Sequence, residues 1–190
     1  VRPEGLSPDS IYLIPLRIKS VSAYEINPDK RTVLYRVLLK NDYAFQSPVT
    51  TYQTRGLEEH FDAEKGKDIR KSFSLTRYVL PLTKNSIRCF VGLNSYDASK
   101  LTKADIRKYA MCITINEDAT LTITPMGTAQ IEMLDKAGES NYYTTYEKNN
   151  IKYQAFYLNY RYRLLKDGKD GSNGDADYDI WYTMEETMIR

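Results

Sequence analysis

Residues 156–165 read FYLNYRYRLL. Side chains alternate across a β-strand with a period of two. Phe156, Leu158, Tyr160, Tyr162 and Leu164 therefore share one face, and Tyr157, Asn159, Arg161 and Arg163 share the other. A glycine- and aspartate-rich loop follows, and then a second alternating run, YDIWYTME from Tyr178, whose Tyr178, Ile180, Tyr182 and Met184 are in phase. Antiparallel pairing with Tyr160 opposite Tyr182 aligns both apolar faces. It also sets Arg163 opposite Asp179 and Arg161 opposite Trp181, and opposite charges and cation–aromatic pairs favour that register.

The rest of the chain is read as β structure around this pair. Tyrosine outnumbers phenylalanine 17 to 5, and tyrosine suits pleated, half-buried surfaces. One hundred and ninety residues are enough to bury a core without covalent staples. The net charge of +2 comes without a lysine/arginine cluster, which argues against nucleic acid. No apolar run approaches the roughly 20 residues that cross a membrane as a helix. No secretory signal opens the chain, and the first residue is Val1, so a processed or trimmed piece is expected. Cys89 and Cys112 are read either as one disulfide or as two thiols, with buried thiols preferred.

In chain order, residues 12–20 and 32–40 are predicted strands of one sheet, joined across the turn Asn27-Pro28-Asp29-Lys30. Pro15 lacks an N–H and directs the first of them to an edge or a bulge. Two strands are marginal alone in water, so their sheet is expected to be incomplete here. Residues 42–71 read as irregular, with a short strand in SPVTTYQTRG and a charged loop in HFDAEKGKDIRKS, and a domain boundary falls near 45–51. Strands follow in SFSLTRYVLPL, SIRCFVGL, a hairpin MCITINEDATLTITPM, TAQIEMLDKAG and NYYTTYE. Thr102 with Asp105 three residues on predicts the start of the single short helix. Tyr153 and Phe156 fall in opposite phases, which predicts a bulge near Ala155.

Chemistry is thinly supported. The single histidine, His60, falls in the charged region, and no Ser/His/Asp set forms around it. Glu185 and Glu186 are adjacent on a strand and point to opposite faces; Glu58 and Glu59 read as loop residues. The Asp-rich stretch 167–179 supplies oxygen ligands of the kind calcium prefers, but it fails the twelve-residue calcium-loop pattern. No metal, no cofactor and no enzyme activity are expected. The solitary Trp181 lies on the face of Tyr157, Asn159 and Arg161. A half-exposed tryptophan there can stack on a sugar ring while Arg161 and Asn159 bond hydroxyls. The alternative is a Trp181 packed in a second core.

The run YLIPLRIKSVSAYEINPDKRTVLYRVLLKN, with Tyr12 to Ile18 and Thr32 to Tyr35, resembles the end of an N-terminal domain of lipoproteins from glycan-utilisation systems of gut-type Bacteroidetes. The strand Phe156 to Tyr162 resembles the last part of the β-rich C-terminal domain that often follows it. The resemblance implies an all-β chain: residues 1–45 as the C-terminal part of an immunoglobulin-like sandwich, then residues 46–190 as an antiparallel β-barrel or sandwich, a lipocalin-like barrel being one form, with one short helix. It implies a non-catalytic glycan-binding or accessory lipoprotein, placed at the outer-membrane surface or in the periplasm. Its expected partners are an oligosaccharide or polysaccharide and the components of an outer-membrane glycan importer. Membrane association would come only through a lipid tether absent from this chain. On the residues themselves, the site is Trp181, Arg161, Asn159 and Tyr157. The rival reading is a structural spacer or assembly module that binds no ligand.

Overall fold

The computed structural model describes residues 5–94, 101–135, 140–166 and 177–190. The chain is all-β with one short helix, arranged as a nearly closed antiparallel barrel and a separate two-stranded sheet. The small sheet pairs β1 (Tyr12–Arg17) with β2 (Thr32–Val37), with Ile14 opposite Tyr35. The barrel strands are β3 (Thr50–Asp62), β4 (Lys67–Thr83), β5 (Ser86–Phe90), β6 (Ala110–Ile115), β7 (Leu121–Pro125), β8 (Gln130–Met133), β9 (Tyr142–Lys148), β10 (Ile151–Arg163) and β11 (Tyr182–Ile189). Their order is β7-β6-β5-β4-β3-β11-β10-β8, with β9 also on β10.

β10 lies at the centre of one wall. One edge pairs with β11 from Ala155 to Tyr162, and the other is shared end to end by β9 and β8. Asn141 fills the break between them. Its Oδ1 accepts the Asn159 N–H at 2.9 Å, and its Nδ2 donates to the carbonyls of Leu134 at 2.9 Å and Asn159 at 3.1 Å. One side-chain amide thus bonds the main chain of β10 between the ends of β8 and β9 and satisfies buried main-chain groups. The ring closes where the Leu121 N–H reaches the Asn141 carbonyl and the Tyr143 N–H reaches the Ala119 carbonyl, both at 2.8 Å.

Alternation decides what fills the barrel. Phe156, Leu158, Tyr160 and Tyr162 of β10 point inward and are buried, with Met184 and Met188 of β11, Tyr52 of β3 and Val79 of β4. Ile87 and Cys89 of β5 and Met111, Ile113 and Ile115 of β6 complete the packing. β5 is buried on both faces because the N-terminal segment crosses its outside. There Arg88 is held by both oxygens of Asp9 at 2.5 Å, and Gln46 Nε2 donates to the carbonyl of Pro8 at 2.7 Å. Cys89 pairs with Met111 and Arg88 with Cys112, so the two cysteines sit on opposite faces and are free thiols. Burial pushes the Cys89 thiol up to about 12. The disulfide alternative is therefore set aside by parity.

The helix forms where its cap predicts. α1 (Lys103–Tyr109) begins at Thr102, whose hydroxyl accepts from the Asp105 N–H at 3.1 Å while Asp105 Oδ2 accepts from the Thr102 N–H at 3.0 Å. The β9–β10 connection is a two-residue turn with Asn149 and Asn150 both at positive φ, which matches the twist of the flanking strands.

Three expectations are corrected. HFDAEKGKDIRKS is not a loop: it forms the far end of the β3–β4 hairpin, paired from Thr50↔Val79 to Asp62↔Lys67 and turning at Gly66 with φ +61°. Its charges sit on a solvated ribbon, which loop-like composition does not distinguish from a loop. Glu58, Glu59 and His60 are accordingly strand residues. No bulge interrupts β10 near Ala155, because Tyr153 lies on the outer face, stacked on Tyr146 at 5.2 Å; a tyrosine is at home there.

Candidate functional site

The third correction concerns the register of β10 and β11. Tyr160 faces Met184 and Tyr162 faces Tyr182, two residues from the predicted alignment. Further out, Leu165 bridges Tyr178, so the β11 side carries one extra residue across the stretch ending at Tyr182. That extra residue is a local bulge, and it turns Tyr178 from the apolar face to the outer one. Ile180 is left 45 % exposed instead of joining the core. A two-residue slip preserves every face, so the parity argument holds while the Arg163–Asp179 pairing does not form.

The bulge gathers four side chains on the outside of the barrel. The Arg161 guanidinium lies 4.6 Å from the centroid of the Trp181 ring, and that of Arg163 lies 4.7 Å from the same ring. Arg163 is also 4.8 Å from the Tyr178 ring. Arg161 Nε donates to Glu132 Oε2 at 2.7 Å, and its Nη2 reaches the same oxygen. Trp181 is half-buried against these guanidiniums and does not face the barrel core. Each contact of this kind contributes about 0.5–1 kcal/mol at an exposed site.

Along the same face toward β9, Tyr157 stacks on Tyr142 with ring centroids 4.5 Å apart. Tyr157 and Asn159 line a shallow depression with Ser140, Glu185 and Thr187. Asn159 is only 4 % exposed. The four predicted site residues thus share one face: Arg161 and Trp181 touch, and Tyr157 and Asn159 form the rim of the neighbouring depression. Sequence reading missed the outer position of Tyr178, because the bulge that puts it there has no signature in the alternation. It also left out Arg163, although parity already placed that residue beside Arg161.

Behind this face, inside the barrel, lies a polar cluster that sequence reading did not anticipate. Arg77 of β4 donates through Nη2 to Glu186 Oε2 at 2.6 Å and to the Gly92 carbonyl at 2.8 Å, and through Nη1 to the Phe90 carbonyl. Tyr160 donates to Glu186 Oε1 at 3.0 Å and accepts from the Gly92 N–H at 3.0 Å. Gly92 has φ +58°, and a Cβ there would lie 2.0 Å from the Tyr162 hydroxyl oxygen, so only glycine fits. Burial is the largest single influence on Arg77 and works against its charge, but the Glu186 carboxylate, together with Cys89 and Tyr160, raises its pKa above the ordinary value. Burial raises the pKa of Glu58, whose Oε2 accepts a long 3.5 Å hydrogen bond from Tyr162. Glu186 points inward to Arg77 and Glu185 is exposed on the outside, as adjacent strand residues must.

The His60 ring packs at a tilt against Tyr182, with centroids 5.1 Å apart, and its Nδ1 is buried without a partner among the described residues. Among the described residues, no three His, Cys, Asp or Glu side chains gather as a metal-binding group. The Asp-rich stretch weighed for calcium lies outside the described residues up to position 176. Of its remainder, Asp177 pairs with Lys166 at 3.0 Å. No helix among the described residues is long and apolar enough to cross a membrane.

Solved structures from Bacteroides share this fold. A Bacteroides ovatus protein of unknown function is 17 % identical with a TM-score of 0.56, covering 94 % of this chain and 57 % of its own. A multidomain protein including DUF1735, also from Bacteroides ovatus, is 16 % identical with a TM-score of 0.53, covering 84 % and 53 %. An auxiliary nutrient binding protein from Bacteroides thetaiotaomicron is 16 % identical with a TM-score of 0.50, covering 94 % and 56 %. This chain spans little more than half the length of those structures, and at such identities the likeness is one of fold. No curated protein matches the sequence. A family model described as "-like, C-terminal" matches residues 31–189, and over that span the chain belongs to this family of C-terminal domains.

Proposed function

We propose that the protein is a non-catalytic, glycan-binding accessory component of a polysaccharide-utilisation system, carried at the outer-membrane surface or in the periplasm by a lipid anchor. Its ligand is an oligosaccharide or polysaccharide, and its protein partners are components of an outer-membrane glycan importer. The observation that carries the reading is the outer face of β10 and β11. There Trp181 is braced by Arg161 and Arg163, and further along the same face Tyr157 and Asn159 line a depression. Aromatic surface flanked by hydrogen-bonding groups is the combination that sugars require, since each ring has an apolar side and a hydroxyl edge. A fold-level neighbour described as an auxiliary nutrient binding protein is in keeping with this role. The non-catalytic half of the reading draws on the carboxylates: Glu186 is committed to Arg77 inside the barrel, and Glu185 points away from it.

The test is a glycan array on the protein, followed by Trp181→Ala. Loss of glycan binding with a stability cost of about 1 kcal/mol or less, as for a surface change, supports the platform. A loss of about 3–5 kcal/mol would mean that Trp181 is a packing residue. Together with an empty array, that result favours the rival reading, a spacer or assembly module without ligand.

A further inference from the structure

Arg163 is oriented by its neighbours, and none of them among the described residues is a carboxylate. Its Nε donates to Gln130 Oε1 at 2.7 Å, and its guanidinium carbon lies 4.7 Å and 4.8 Å from the ring centroids of Trp181 and Tyr178. These three contacts orient the group, and none of them occupies its Nη edge. Arg161, two residues away, differs: Nε and Nη2 both bond the Glu132 carboxylate, which cancels its charge on the spot. Among the described residues no carboxylate pairs with Arg163; the nearby Asp177 is taken by Lys166. A half-buried guanidinium held against two rings keeps its hydrogen-bonding geometry. Such a planar edge offers two parallel N–H donors that match the two oxygens of a carboxylate. Because the protein has already ordered the group, little entropy remains to be lost when an acid docks.

We propose that Arg163 is an acid-recognition residue that takes the carboxylate of a uronic-acid unit, beside the aromatic surface of Tyr178 and Trp181. The inference rests on the glycan-binding reading above and narrows its ligand class to uronate-bearing glycans. The bulge before Tyr182 is what makes the site, since without it Tyr178 would face the interior and Arg163 would lose one of its two rings.

The array should therefore hold neutral, uronate-bearing and sulfated glycans. The best uronate ligand and its carboxyl-reduced counterpart are then titrated calorimetrically into the wild type, Arg163→Gln and Arg163→Lys. The expected hits are uronate-bearing. Carboxyl reduction and Arg163→Gln should each weaken binding about tenfold or more, the usual worth of a charge-assisted hydrogen bond. The two losses should not add, because the Gln variant no longer tells the acid from its reduced form. Arg163→Lys should restore only part of the affinity, since it keeps the charge and loses the fork. If Arg163→Gln does not fold, Arg163→Lys takes its place, and an acid-over-reduced preference as large as that of the wild type overturns the inference. Hits confined to neutral or sulfated glycans overturn the inference, as does uronate binding that Arg163→Gln leaves unchanged. Neutral glycans that need Trp181 but ignore Arg163 overturn it alone, whereas an empty array overturns the glycan reading with it.

Discussion

In β10 and β11, Phe156, Leu158, Tyr160, Met184 and Met188 are all buried to within 1 %; in β1 and β2, Leu13, Ile14, Leu16, Val33 and Leu34 are 48–60 % exposed. The two strand pairs carry the same alternation of apolar and polar residues. What differs is the number of neighbours. β10 and β11 sit in a wall of paired strands that curls around to face β5 and β6. β1 and β2 pair only with each other, so neither face has become an interior. In β1 the adjacent residues Leu13 and Ile14, on opposite faces, are 51 % and 49 % exposed. Alternation therefore states which side of a strand is available for burial, and only the rest of the sheet decides whether burial happens.

Substitution should make that contrast measurable. The largest effect is expected inside the barrel. Glu186→Ala leaves the Arg77 guanidinium buried without its carboxylate, and should cost about 3–5 kcal/mol in urea melts. A cost below about 1 kcal/mol would mean that the interior network does not distinguish the barrel from the small sheet.

The next effect is pH-dependent. Glu58 is buried, and its folded pKa stands above the ordinary value of 4.5. The folded state therefore binds more protons than the unfolded state between those two values, and stability falls as pH rises through that window. Glu58→Gln cannot ionise, so it should flatten this fall and be the more stable protein at neutral pH. Urea midpoints across the acid-to-neutral range check the sign: an unchanged slope would place the responsible group elsewhere.

The smallest effect belongs to the exposed pair. Leu16→Ser should change barrel stability by no more than about 0.5 kcal/mol, as surface substitutions do. A larger loss would reveal that β1 shares a cooperative unit with the barrel.

Much of the candidate site was legible because parity is robust. Tyr157, Asn159, Arg161 and Trp181 lie on one face whether the register is read correctly or two residues off. The register itself was misread because the Arg163–Asp179 attraction is a weak, solvent-screened term. It competes with the continuous pairing of β11 to both β10 and β3, which runs from Tyr182 to Ile189. Arg163 was passed over because its partners, Tyr178 and Gln130, come from a bulge and a neighbouring strand. The charged ribbon ending at Asp62 and Lys67 was read as a loop because its polar side chains report exposure, not hydrogen bonding.

The sequence by itself determined the class of the fold, most strands, the capped helix at Thr102 and the face of each residue on β10. These depend on period, capping and turn chemistry, which act over a few residues. Tertiary contacts decided that the strands close on one another, that the Asn141 side chain bonds the main chain of β10, and that Arg77 meets Glu186 in the core. Such contacts join residues as much as 109 positions apart, and a local pattern holds no record of them.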